Sequence, residues 1–171
     1  MTRIAIVGVG AIGGVTAALL QQAGHELLLC TRRPMSGFSV DTPDGLVKVQ
    51  ASFVTAASEA FDVDWVIVAT KAYDVAGAAT WLERLCFAGA PVAVLQNGVE
   101  HRERFAPYVP MEKILPVMVD CPAERQALDK VRQRGIMHLK VPDNTLGRDF
   151  VKLFAGSPAD ATTVPDFLSV V

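Results

Sequence analysis

Ile4 to Val7 is an unbroken apolar run rich in branched side chains, the pattern of a strand buried on both faces of a parallel sheet. Ala11 to Ala23 follows with helix formers and closes at Gly24, a residue suited to a left-handed cap. "HELLLCT", His25 to Thr31, returns to a strand pattern, so strand, turn, helix and strand fit within about thirty residues. The alternation continues with a strand in "DWVIVAT" (Asp64 to Thr70), a helix in "DVAGAATWLERLCF" (Asp74 to Phe87) and a strand ending in a turn in "PVAVLQNG" (Pro91 to Gly98). "PMSGFSVDTPDGLVKVQ" is broken by Pro and Gly and reads as a loop followed by a short strand, Leu46 to Val49. "KILPVMVD" (Lys113 to Asp120) and "GIMHLKV" (Gly135 to Val141) read as strands without a clear crossover helix between them. "CPAERQALDKVRQRG" is therefore expected to be a long connection between edge strands. In "VPDFLSVV", Asp166 reads as the cap of a helix that has made only its first turns at Val171, which suggests a truncated second domain.

The glycines sharpen this outline. Gly8-Val9-Gly10-Ala11-Ile12-Gly13 fits G-x-G-x-x-G between a predicted strand and a predicted helix. Gly8 permits the tight turn, Gly10 lets backbone approach a pyrophosphate, and Gly13 allows close packing of helix on strand. Amides at the helix start and the positive end of its dipole then hold phosphate. The expected fold is a Rossmann-type, doubly wound, mostly parallel α/β sheet with helices on both faces and antiparallel edge strands. Residues 1–163 are assigned to this dinucleotide-binding domain and 164–171 to the start of a further helix.

A site that prefers NAD places Asp or Glu at the end of the second strand, where the carboxylate takes the ribose hydroxyls. Here the position reads Thr31-Arg32-Arg33, and no acid lies between Glu26 and Asp41. A guanidinium at Arg32 can grip a 2'-phosphate with two charge-assisted hydrogen bonds and stack on adenine. The expected cofactor is NADP(H), against the alternative of a solvated arginine pair. Lys71 and Asn97 each follow a predicted strand at its carboxyl end, where ligands of such sheets bind. Lys71 could hold a substrate carboxylate or cofactor oxygen and Asn97 could bridge nicotinamide ribose and substrate; a surface lysine and a turn asparagine are the open alternatives.

Composition narrows the partners. Apolar residues make up 51% and charged residues 20%, a surplus that calls for apolar surface to be covered. A net charge of -2 with no basic stripe leaves no footprint for nucleic acid or an anionic membrane. Cys30, Cys86 and Cys121 are odd in number and far apart, which supports neither a disulfide framework nor a zinc site and fits reduced thiols in the cytoplasm. The uncharged stretch Ile4 to Leu20 is interrupted by four glycines, unlike a membrane span or signal core. His25, His101 and His138 have no carboxylate partner in the predicted cleft and are assigned polar or structural roles.

"GVGAIGG", "TRR", "ATKAYD", "LQNGVE" and "GIMHLKV...NTLGR", in this order, resemble the amino-terminal half of the ketopantoate reductases (2-dehydropantoate 2-reductases). The resemblance implies NADPH-dependent reduction of a 2-oxo acid to a 2-hydroxy acid, in pantothenate biosynthesis when the substrate is ketopantoate. It assigns Arg32 to the 2'-phosphate, Lys71 to the cofactor cleft, Asn97 to cofactor and substrate, and the backbone at Cys121 to the cofactor. Val99-Glu100-His101 departs from the family's small residues after N-G and leaves the substrate open. The resemblance also implies that the catalytic lysine and its acidic partner belong to a helical carboxyl-terminal domain beyond Val171, so this chain alone carries no catalytic residue. The implied partners are a small 2-oxo acid and that helical domain, with a homodimer compatible at full length; nucleic acid and membrane are not implied. A related 2-oxo-acid or imine reductase, and a non-catalytic NADPH-binding regulatory module, are the competing readings.

Overall fold

The computed structural model describes residues 2–70, 75–95 and 101–167. The chain begins β1 (Arg3–Val7), α1 (Ala11–Gln22), β2 (Glu26–Cys30), β3 (Phe38–Thr42), β4 (Gly45–Val49), β5 (Ser52–Val54), β6 (Trp65–Val68) and α2 (Val75–Leu85). It continues through β7 (Val92–Val94), α3 (His101–Phe105), β8 (Ile114–Pro116), β9 (Met118–Asp120), β10 (Ala123–Ala127) and β11 (Lys130–Gln133), and closes with β12 (His138–Pro142), α4 (Thr145–Leu153) and β13 (Asp160–Val164).

The central sheet has six strands in the order β5-β2-β1-β6-β7-β8, all paired parallel. Because strand side chains alternate between faces, the apolar runs feed two cores. Ile4, Ile6, Leu27, Leu29 and Ile67 enter one core with α1 and α4, whereas Ala5, Val7, Leu28, Val66 and Val68 enter the other with α2 and Phe105 of α3. Strands covered on both faces have no polar face to show, which is why they read as continuous apolar runs.

Two smaller sheets complete the first core. β10-β11-β3-β4 lies over α1, and β13-β12-β9 packs beside α4. Helix α1 is thereby held between two sheets, and every residue from Gly13 to Leu20 is buried. A Cβ on Gly14 would stand 2.6 Å from the ring of Phe38, so the glycine lets the small sheet lie directly on the helix. The apolar surplus of the sequence lies here, on a helix that shows no solvent face from Gly13 to Leu20.

The structure corrects several expectations. Antiparallel pairs occur in the two smaller sheets and not at the edges of the central one, where β5 and β8 both pair parallel. The stretch expected as a long connection forms the hairpin β10–β11, because Val131 and Gln133 are buried against the core while Arg134 N donates to Pro122 O. The expected loop before residue 46 contains β3, whose Phe38 and Val40 are buried. The expected strand from Lys113 to Asp120 divides at Val117, with β8 in the central sheet and β9 in the three-stranded one. α4 and β13 were not anticipated: Asn144 Oδ1 accepts from Gly147 N at 2.7 Å and caps α4, and β13 pairs parallel with β12. The helix expected after Asp166 falls largely on residues 168–171, outside the described residues.

Candidate functional site

Strands β1 and β6 are neighbours, but the chain leaves β1 toward β2 and β5 on one side before returning to β6, β7 and β8 on the other. The crevice outside the carboxyl ends of strands at such a reversal is where open α/β sheets bind ligands. A cleft of about 500 Å³ lies there.

Its floor is the glycine turn. Gly8 has φ +94, and a Cβ on it would stand 2.7 Å from Thr70 Cγ2 and 2.8 Å from Thr70 N, so the turn is pressed against the end of β6. Gly10 differs: a Cβ there would meet nothing within 4 Å. The space above Gly10 belongs to the cleft, and Gly10 leaves it open. α1 starts immediately afterwards with no side-chain cap and no acid in its first turn. Its first amides are thus available to an anion, with the helix dipole in their favour. A dinucleotide pyrophosphate fits this cradle, since both the open volume over Gly10 and the uncapped amides suit a diester backbone approaching closely. Ala11 and Ile12 form the half-exposed start of α1, and Gly13 is buried against the turn.

One rim comes from the end of β2. Thr31 is buried; its N donates to Val54 O at 2.9 Å and its Oγ1 donates to Arg33 O at 2.7 Å. This hydroxyl clasp folds the loop so that exposed Arg32 and Arg33 both line the cleft. The opposite wall is Gly77 and Trp81, one turn apart on α2. Arg125 and Leu128 of the β10–β11 hairpin also face it, and Arg125 Nη2 donates to Val9 O at 3.0 Å and to Leu128 O at 3.2 Å. Among the described lining residues there are three arginines and no carboxylate.

Cys30 lines the cleft, but burial pushes its thiol up to about 12, so it stays neutral and non-nucleophilic near pH 7. Burial raises Cys86 to about 11, and burial with the Asp120 carboxylate raises Cys121 to about 11. Cys121 follows β9, packs beside the first core and is not among the residues lining the cleft. Lys71 and Asn97 lie outside the described residues. His25 Nε2 donates to Leu153 O at 2.7 Å and His138 Nδ1 meets Asp160 Oδ2 at 2.7 Å across β12 and β13, both away from the cleft. Among the described residues no His, Cys, Asp and Glu cluster could hold a metal, and no helix is long and apolar enough to cross a membrane.

Sequence reasoning missed Trp81, Gly77 and Arg125. The first two were legible in principle, as an i, i+4 pair on a predicted helix facing the cleft; Arg125 was hidden because its segment was not recognised as a hairpin. A second hollow of about 570 Å³ lies between residues 57–62 and the end of α2. It carries the exposed Asp62–Arg84 ion pair at 2.9 Å and none of the strand termini of the central sheet.

A family model described as ketopantoate reductase PanE/ApbA matches residues 4–145. The 2-dehydropantoate 2-reductase of Caulobacter vibrioides is 39% identical over 170 residues, covering 99% of this chain and 59% of that protein. That of Mycobacterium tuberculosis is 40% identical over 168 residues, covering 97% of this chain and 57% of the relative. Among solved structures, the 2-dehydropantoate 2-reductase of Geobacter metallireducens shares the fold with a TM-score of 0.86 at 24% identity, covering 95% of this chain and 57% of its own. The chain thus spans between 57% and 59% of the length of these relatives.

Proposed function

The chain belongs to the ketopantoate reductase family, and on that premise we propose that it forms the coenzyme-binding half of an NADPH-dependent 2-oxo-acid reductase whose substrate is 2-dehydropantoate. The observation that carries the coenzyme assignment is the charge of the cleft: Arg32 and Arg33 stand at the end of β2, Arg125 stands over the glycine turn, and no described lining residue is acidic. A carboxylate at the end of β2 would repel the 2'-phosphate that distinguishes NADPH, whereas a guanidinium binds it.

When bound, NADPH supplies a hydride for the keto carbon of the substrate. The chain's own residues hold and orient it. The amides of α1 and the open space over Gly10 take the pyrophosphate, Arg32 takes the 2'-phosphate, and Trp81 with Gly77 walls the adenosine side. Lys71 and Asn97 are assigned to the nicotinamide end, where an ammonium and a carboxamide would align the 2-oxo acid. The group that protonates the developing alkoxide is assigned to a helical domain following residue 163, and the whole protein to the cytoplasm.

The test is a titration of the 171-residue chain and its Arg32→Ala variant with NADPH and NADH. The wild-type chain should prefer NADPH by about tenfold or more, one tenfold step being about 1.4 kcal/mol. Arg32→Ala should lose most of that preference and leave NADH binding nearly unchanged. Equal affinity for both coenzymes in the wild-type chain, or an unchanged preference in the variant, would overturn the reading.

A further inference from the structure

We infer that Arg125 is a contact for the coenzyme pyrophosphate, holding the glycine turn with one nitrogen and turning its other donors on the bound anion. The inference rests on the dinucleotide reading above.

Val9 O belongs to the residue just before Gly10, the N-cap of α1. A carbonyl oxygen so close to an anion cradle opposes the ligand's charge. Arg125 Nη2 covers this oxygen at 3.0 Å and uses its second hydrogen on Leu128 O at 3.2 Å. A guanidinium has five N–H donors in a rigid plane. Among the described residues the Nε and Nη1 hydrogens meet no acceptor and no carboxylate pairs with Arg125, since neighbouring Glu124 is taken by Arg134. A cation with three uncommitted donors thus lines the cleft within hydrogen-bond length of the glycine turn.

The support beneath it is firm. Arg125 is on β10, whose partner β11 pairs with β3, and Ser39 N donates to Asp129 O at the hairpin turn at 3.0 Å. β3 in turn lies on α1 through Phe38. The guanidinium and the helix amides therefore belong to one packed unit, so Arg125 is pre-positioned and not carried on a free loop. Its location over the turn also separates its role from that of Arg32. Arg32 stands at the ribose side and reads the 2'-phosphate, which only NADPH carries; Arg125 stands at the pyrophosphate, which both coenzymes carry.

Arg125→Ala and Arg125→Lys in the 171-residue chain separate the possibilities, with Kd for NADPH and NADH measured at low and high salt. The alanine variant should weaken both coenzymes by the same factor, about fivefold to tenfold at low salt, and flatten the salt dependence of both, because an exposed charge contact is screened. The lysine variant keeps the charge and should recover most of the affinity and the wild-type salt dependence. Three results would overturn the inference: no change in either Kd, a loss confined to NADPH, or equal weakening by alanine and lysine with the wild-type salt dependence, which describes a brace for the turn only. If the wild-type chain binds neither coenzyme, the dinucleotide reading fails and this inference with it; if it binds both and Arg125→Ala changes nothing, this inference alone fails.

Discussion

A Cβ added to Gly13 would stand 2.0 Å from the carbonyl oxygen of Gly8. The first turn of α1 therefore rests directly on the backbone that leaves β1, and neither side can yield without moving the sheet. Gly10, between them in sequence, faces open space. The two glycines should separate stability from binding. Gly13→Ala should destabilise the fold by about 3 kcal/mol, the upper range for overpacking, since the clash is with backbone. Gly10→Ala should leave stability within about 1 kcal/mol and still weaken NADPH, because the new methyl occupies the cleft. Denaturant melts and coenzyme titrations on the two variants check the contrast.

Trp81 lines the cleft, whereas the chain's other tryptophan, Trp65, is buried in the first core with its ring centroid 5.7 Å from that of Phe150. Only one of the two indoles can touch a bound coenzyme. NADP+ should quench the tryptophan emission of the wild-type chain, and Trp81→Phe should abolish most of that quenching while the Trp65 emission persists. Equal quenching in the variant would mean that the adenosine lies elsewhere.

How much of this was legible in the sequence depended on whether the deciding contacts were local. β1, β2 and β6 are buried on both faces, so their burial is written as apolar runs, and the glycine turn sits between two such signals. β10 is different. Glu124, Arg125, Gln126 and Ala127 are all exposed, so no alternation marks the strand, and its pairing is set by β11. β11 does alternate, exposed Lys130 and Arg132 being followed by buried Val131 and Gln133 respectively, but Gln133 is polar and disguises the period. The partnership of Arg125 with Val9 spans 116 positions and depends on that unrecognised hairpin, so it had no local signature. α4 had one: Asn144 followed by apolar Leu146, Phe150 and Leu153 is a capped, one-faced helix.

The buried thiol of Cys30 makes stability depend on alkaline pH. Its pKa rises from 9.0 to about 12 on folding because burial disfavours the thiolate. Between those values the folded chain keeps a proton that the unfolded chain has lost, so stability is intact below about pH 9 and falls as pH rises toward 12. Urea melts should show a smaller loss of stability in Cys30→Ala than in the wild type between about pH 8.5, roughly half a unit below the unfolded value, and about pH 10.5, roughly one and a half units above it. An identical slope would mean that Cys30 is not the thiol responsible.

The fold should be far more sensitive to Phe150 than to the ion pair of Arg3, although Arg3 makes more of the visible polar contacts. Arg3 Nε meets Glu26 Oε1 at 2.8 Å, its backbone N donates to Asp64 Oδ2 at 2.8 Å, and its guanidinium carbon stands 5.4 Å from the centroid of the Phe61 ring. Yet the Arg3 and Glu26 side chains are 54% and 39% exposed, and such a pair is worth at most about 1 kcal/mol after solvent screening. Phe150 is 0% exposed and joins Trp65 of the central sheet to Phe154 at the end of α4, 5.2 Å from the latter centroid to centroid. Its removal leaves a cavity that neither tilted ring can fill, because each is held by its own element. Phe150→Ala should cost about 3–5 kcal/mol and lower Tm by about 10 °C, whereas Glu26→Gln should shift it by about 3 °C or less. Calorimetry of the two variants decides the order; a larger loss in Glu26→Gln would mean that the ion pair at the start of β2, and not the aromatic bridge beneath α4, holds the sheet in place.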